Sequence, residues 1–210
     1  MTALSEVNAY VSVDVEAAGP NPGQYSLLSI GACLVARPGS AFYVELQPVN
    51  REMTPQALAI HRLPLERLAE RGLPPVEAMA RFEAWLAAEI PAGLRPIFVA
   101  FNAPFDWMFV NDYFHRYLGR NPFGHTALDL KSYYMGLNGV PWAETSMRYV
   151  GPRYLDDRQL THHALRDAQD QAEIFQKMLA EAATKSSGAG NPRRLPGPTS
   201  SYQFEEADDE

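Results

Sequence analysis

Tyr10-Val11-Ser12-Val13-Asp14-Val15-Glu16 is the stretch from which the rest of the chain can be read. Its strict alternation is that of a strand: Val11, Val13 and Val15 fall on one face, Ser12, Asp14 and Glu16 on the other. An apolar strand therefore ends with two carboxylates pointing the same way. Like charges held together raise at least one pKa unless a cation, a shared proton or a basic partner offsets them. A divalent metal is the simplest such partner. Taken alone, Asp-Val-Glu reads first as a strand end with two solvated acids, so the weight falls on what the other segments supply.

Two further segments supply acids. Pro96-Ile97-Phe98-Val99-Ala100-Phe101 reads as a second buried strand, and Asn102 with Pro104 reads as a helix start, which puts Asp106 in a first helical turn. Alone, such an acid is a helix-dipole partner worth about 0.3–1 kcal/mol. Thr161-His162-His163-Ala164-Leu165-Arg166-Asp167 then opens an amphipathic stretch whose apolar positions Ala164, Leu165, Ala168, Ala172, Ile174, Phe175, Met178 and Leu179 predict a packed helix ending near Ala183.

Together these segments resemble the DEDD exonucleases that carry a catalytic histidine, the superfamily of proofreading exonucleases, ribonuclease T and oligoribonuclease. Asp14-Val15-Glu16 matches its Asp-x-Glu motif, Asn102 with Phe105-Asp106 its second motif, and His162 through Asp167 its His-x-Ala-Leu-x-Asp motif. The likeness continues through Ser26–Ala32, Thr54–Ala57 with Ile60-His61, and Leu128-Asp129, and spans roughly residues 8–182. Ala17, Phe101 and Arg62 depart from it, standing where Thr, His and Gly are common. None of the three removes a metal-binding carboxylate.

The resemblance implies a ribonuclease H-like α/β fold with a mixed five-stranded sheet covered by helices. It also implies a 3′–5′ exonuclease that releases nucleoside monophosphates. Asp14, Glu16, Asp106 and Asp167 would hold two Mg2+ ions, with Mn2+ equally compatible with an all-oxygen shell; zinc would want a Cys and His set that is not present. Paired ions about 3.5–4 Å apart stabilise both attacking and leaving oxygens of a phosphodiester. His162 would be the general base, since an imidazole with a pKa near 6.5 accepts a proton at neutral pH. Helical spacing alone favours His163, which is i, i+4 to Asp167; the family's histidine occupies the place of His162, on the loop entering the helix. For the terminal nucleotide the resemblance implies backbone N–H groups at Ala17, a wedge at Leu28 with Leu27, and contacts from Asn102 and Phe105. Tyr25, Phe101, Phe105, Trp107 and Phe109 gather where that pocket would be, as stacking faces or as core. Asp129 is either a site neighbour or an N-cap for the helix that follows it. His61, His115 and His125 carry no assigned role.

Net charge is −7 over 210 residues, and no basic stripe of the kind that wraps long duplexes is visible. Two divalent ions would offset the four site acids, which points to short or single-stranded RNA or DNA with a free 3′ end. The expected layout is one exonuclease domain over residues 1–183, with strands near 9–16, 26–36, 41–47, 96–101 and 126–130, the first three as antiparallel hairpins. Residues 184–210, rich in Pro, Gly and Ser and ending Glu205-Glu206-Ala207-Asp208-Asp209-Glu210, should form a disordered acidic tail. The lone Cys33 cannot make an internal disulfide. With no signal-like start and no membrane-length apolar run, a cytoplasmic protein is expected. The resemblance also offers a homodimer, the arrangement of several relatives, beside a monomer serving a larger assembly. The competing class is a catalytically weak binding domain that keeps the fold; a nucleotide-cofactor enzyme is disfavoured because the loop after the first strand lacks Gly-x-Gly-x-x-Gly.

Overall fold

The computed structural model describes residues 7–156, 158 and 161–188. Among them a five-stranded sheet runs in the order β3-β2-β1-β4-β5, with β1 Asn8–Ala17 at its centre, β2 Leu27–Leu34 and β3 Arg37–Glu45 on one side, and β4 Arg95–Ala100 and β5 Ala127–Asp129 on the other. The pairs β1–β2 and β2–β3 are antiparallel, while β1–β4 and β4–β5 are parallel. This is the mixed sheet of the ribonuclease H-like fold. The short links between the first three strands permit hairpins, whereas the later strands are joined through helices. The helices are α1 Pro55–His61, α2 Leu65–Arg71, α3 Pro75–Glu89, α4 Ala103–Leu118, α5 Leu130–Asn138, α6 Met147–Tyr154 and α7 Ala164–Gly188.

Alternation along β1 sorts the helices onto two faces. Val11, Val13 and Val15 pack with Phe98, Phe82 and Met79 of α3, and Phe109, Val110 and Phe114 of α4. Tyr10, on the opposite face, meets the ring of Phe175 on α7 edge-on at 5.2 Å. The two faces together bury most of the large apolar side chains of the sheet, the dominant favourable term in holding such a fold.

On the α7 face the helix comes close to the sheet at Gly31. Gly31 of β2 is the register partner of Asp14. A Cβ on it would lie 2.1 Å from the carbonyl carbon of Ala164. No side chain fits there, so the first turn of α7 rests directly on the sheet backbone beside Asp14.

α7 runs on to Gly188, so Thr184-Lys185-Ser186-Ser187, expected to begin the tail, continue the helix. Lys185 fixes that last turn by donating from Nζ to the Leu137 carbonyl at 2.8 Å. The remainder of the expected tail lies outside the described residues. No helix among the described residues is long and apolar enough to cross a membrane.

Candidate active site

The site opens at the C-terminal ends of β1 and β4, where two adjacent parallel strands part because their following connections leave in different directions. Such switch points are where open α/β sheets form crevices. Pairing between the two strands stops at Ser12–Val99, and β1 carries a register shift between Glu16 and Ala17. A bulge of this kind turns the strand end and re-aims its side chains.

A cleft of roughly 480 Å³ lies there, lined by Asp14, Glu16, Asp106, His162 and Asp167 and rimmed by Ala17, Ile60, His61, Phe101, Asn102 and Phe105. Three segments far apart in sequence thus contribute to one wall. The carboxylate oxygens of Glu16 and Asp167 and a ring nitrogen of His162 all lie within 4.8 Å of one another. Asp106, buried in the first turn of α4, accepts the Val15 backbone N–H at 3.0 Å on Oδ1, which ties α4 to the end of β1.

α7 begins one residue after His163, so both histidines precede the helix and ideal helical spacing does not apply to them. Asp167 reaches back over this loop. Its Oδ1 accepts the Thr161 N–H at 2.7 Å and hydroxyl at 3.1 Å, and its Oδ2 accepts the His162 N–H at 2.8 Å. His162 is exposed and left-handed, with φ 54°, a conformation that costs a non-glycine residue energy and persists only where surroundings hold it. The Asp167 carboxylate is what holds it. His163 instead stacks on Tyr43, ring centroids 4.8 Å apart.

Two backbone-anchoring groups were not singled out from the sequence. Gln171 is 1% exposed and donates from Nε2 to Asp14 Oδ1 at 2.7 Å while its Oε1 accepts the Phe101 N–H at 3.0 Å. His61, given no role by its sequence context, lines the cleft; its Nδ1 accepts the Leu63 N–H at 2.9 Å, which leaves the neutral ring's proton on Nε2. Burial holds that imidazole below its usual pKa. The only signal for it was its place in the family-like Ile60-His61 stretch.

Asp129 serves two helices at once. It N-caps α5 through Lys131 N–H at 3.3 Å and Ser132 N–H at 3.2 Å, and its Oδ1 also accepts the Asn102 and Ala103 N–H groups at 3.1 and 3.2 Å. Asn102 makes no side-chain cap of its own; it takes the left-handed conformation at φ 70° that opens α4.

Leu28 is a correction. Expected as a wedge beneath the last base, it is fully buried with Ala18, Leu65 and Leu68 and lines no part of the cleft. Full burial of β2 on both faces leaves its leucines no route to the surface. Leu27 is likewise core. Of the aromatics, Phe101 and Phe105 line the cleft; Phe109 is core, Trp107 packs on Phe98 at 5.2 Å, and Tyr25 covers Gly19.

The acids are strongly perturbed. Burial pushes the Glu16 carboxyl up to about 8, with the Asp167 charge adding to the effect. Asp14 is raised well above the carboxylate range by burial and then by the charges of Asp106, Glu16 and Asp167, against the lowering bond from Gln171. Asp106 is raised chiefly by burial, which outweighs the backbone N–H of Val15. Among the described residues no Lys or Arg lines the cleft beside these acids, and hard divalent cations are what carboxylate oxygens so arranged can bind. The donor set therefore fits the metal that the motifs imply.

A ribonuclease H-like sheet with acids and a histidine at the β1–β4 switch point is the architecture of a nuclease. The exonuclease family model of the ribonuclease T type matches residues 11–175, and the chain belongs to that family. It is 45% identical over 166 residues to the 3′–5′ DNA exonuclease Cap18 of Escherichia coli, covering 79% of this chain and 89% of that protein. Among solved structures it is similar to the nuclease domain of 3′hExo, a DEDDh family member bound to rAMP, with TM-score 0.68, 16% identity and coverage of 85% of this chain and 95% of that one. It is also similar to the Escherichia coli ExoI–ssDNA complex, with TM-score 0.63, 15% identity and coverage of 86% and 42%. The protein is a 3′–5′ exonuclease, a hydrolase of ester bonds.

Proposed function

We propose that this exonuclease uses two divalent metal ions and His162 to remove nucleotides one at a time from the 3′ end of single-stranded DNA. The observation that carries the reading is the convergence of Glu16, His162 and Asp167 within 4.8 Å, from segments that start and end the domain. Asp14, Glu16, Asp106 and Asp167 would hold the ions, with Mg2+ the default and Mn2+ compatible. When bound, the metals make water a better nucleophile and offset charge on the attacking and leaving oxygens.

The chain's own groups do the rest. His162, exposed at the mouth of the cleft, takes the proton of the attacking water as its oxygen bonds to phosphorus. The bond from phosphorus to the 3′-oxygen breaks, and that oxygen takes a proton, leaving a shortened chain with a new 3′-hydroxyl and a free nucleoside 5′-monophosphate. Phe105 and Ile60 offer apolar surface to the terminal nucleoside. Similarity to a DNA exonuclease at 45% identity favours DNA. A net charge of −7, with Arg37, Arg116, Arg120 and Arg158 each paired to a carboxylate, argues against a long basic track for duplexes and favours a footprint limited to one strand end.

The test is a degradation series on 5′-labelled single-stranded DNA, single-stranded RNA and recessed duplexes, with Mg2+ or with EDTA. Stepwise mononucleotide release from single-stranded DNA with Mg2+ is expected, and none in EDTA. Cleavage in EDTA would overturn the metal reading. In the same assay His162→Ala should lower kcat by about 10²–10⁴-fold and His163→Ala by less than about threefold. Equal losses from the two would overturn the assignment of the base.

A further inference from the structure

We propose that Gln171 is a positioning residue that orients Asp14 for metal by bridging it to the end of β4. The inference rests on the two-metal reading above and adds to it a residue outside the acid and histidine motifs.

The geometry is specific. Gln171 follows Asp167 by one helical turn, so both project from α7 toward the sheet. Its amide lies in the gap that opens once β1 and β4 cease to pair beyond Ser12–Val99. Which end of the amide faces which partner is dictated by chemistry, since a carboxylate can only accept and a backbone N–H can only donate. Nε2 therefore faces Asp14 Oδ1, at 2.7 Å, and Oε1 faces the Phe101 N–H, at 3.0 Å.

Two consequences follow. The carboxylate of Asp14 is fixed in rotation by a donor on Oδ1. The Phe101 N–H, stranded where the sheet ladder ends, is satisfied without a water. Phe101 leads through Asn102 directly into α4, which carries Asp106. One buried amide thus ties together the three elements that bear the acids: β1, β4 with its helix, and α7. Groups that hydrogen-bond metal-binding carboxylates from behind typically change metal affinity or activity roughly 10–100-fold when removed.

The experiment uses the full chain without substrate, titrated with MnCl2 by calorimetry. Gln171→Met keeps length and volume and removes both hydrogen bonds. We expect its Mn2+ affinity to fall about tenfold or more. At saturating Mn2+, kcat should recover in part, with KM for a single-stranded oligonucleotide unchanged. A folded Gln171→Met chain that binds Mn2+ as the wild type does would overturn the proposal alone. A wild-type chain that binds no Mn2+ would overturn the metal reading and this proposal with it. Gln171→Glu provides the second variant, because it keeps the acceptor for Phe101 but sets a carboxylate oxygen, with its negative charge, where the amide donor faced Asp14. It should lower kcat at saturating Mn2+ by about tenfold or more, and wild-type turnover from it would equally overturn the proposal.

Discussion

Gly31 shows how much of the site depends on a side chain that is not there. Its Cβ would collide with the backbone of Ala164 and Leu165 at 2.1 Å, and those residues follow His162 and precede Asp167. Gly31→Ala should destabilise the protein by about 1–3 kcal/mol through overpacking. It should also lower kcat by about 10²-fold, because displacing catalytic groups by an ångström costs that much. Chemical denaturation and single-turnover assays would read the two effects. Arg62 presents the opposite case. It ends α1 in the left-handed conformation at φ 55°, which glycine adopts without a Cβ penalty, and it is exposed. Arg62→Gly should raise stability by about 0.5–1 kcal/mol, seen as a higher denaturation midpoint. At this scale the convergence of the acids and His162 on one cleft was legible, because motif spacing marks those residues. It was silent on Gln171 and on the doubled role of Asp129, because a hydrogen bond across the fold leaves no periodicity. Leu28 was misread because a leucine within an apolar run carries no mark distinguishing core from wedge.

At the scale of elements, the site is made by helix starts placed against strand ends. α4 and α7 each bring an acid to the end of β1 from their first turns. Asp129 joins two such starts, those of α4 and α5, through four backbone N–H groups. Asp129→Ala should cost about 2 kcal/mol from the lost caps and should loosen the segment leading to Asp106. Hydrogen exchange at Asn102, Ala103, Lys131 and Ser132 would rise together if one carboxylate serves both helices, and exchange changing in α5 alone would refute that. The elements themselves were largely readable. Alternation marked β1, a Pro after Asn102 marked α4, and apolar spacing marked α7. The far end of α7 was not, since Ser and Thr discourage helix in isolation while the Lys185 contact to Leu137 is a tertiary one.

For the molecule as a whole, the buried acids make stability depend on what neutralises them. Glu16 has a pKa of about 8 when folded and an ordinary value near 4.5 when unfolded. Without metal the folded state therefore keeps a proton that the unfolded chain releases above pH 4.5. Its contribution to stability is full below that pH and is lost as pH rises toward 8. In EDTA the melting temperature should fall from pH 5 to pH 8. Saturating Mn2+ should flatten that fall, because the cation replaces the proton. Calorimetry across this range, with and without metal, would check it; a melting temperature in EDTA that rises toward pH 8 would contradict the burial of Glu16. The mixed sheet and its helices were legible from the order of strand and helix patterns. The switch point was not, because strand order is a property of three dimensions.

The bond between Gln171 and Asp14 joins positions 157 apart, and that between Val15 and Asp106 joins positions 91 apart. During translation, β1 therefore leaves the ribosome long before the helix that completes its surroundings. On the proposed mechanism, a nascent chain that ends before Thr161 holds neither the imidazole nor the last carboxylate, so it should not cut nucleic acid. Cleaving ability should therefore arrive only after α7 has been made and docked, and a ribosome stalled before that point should carry no active nuclease.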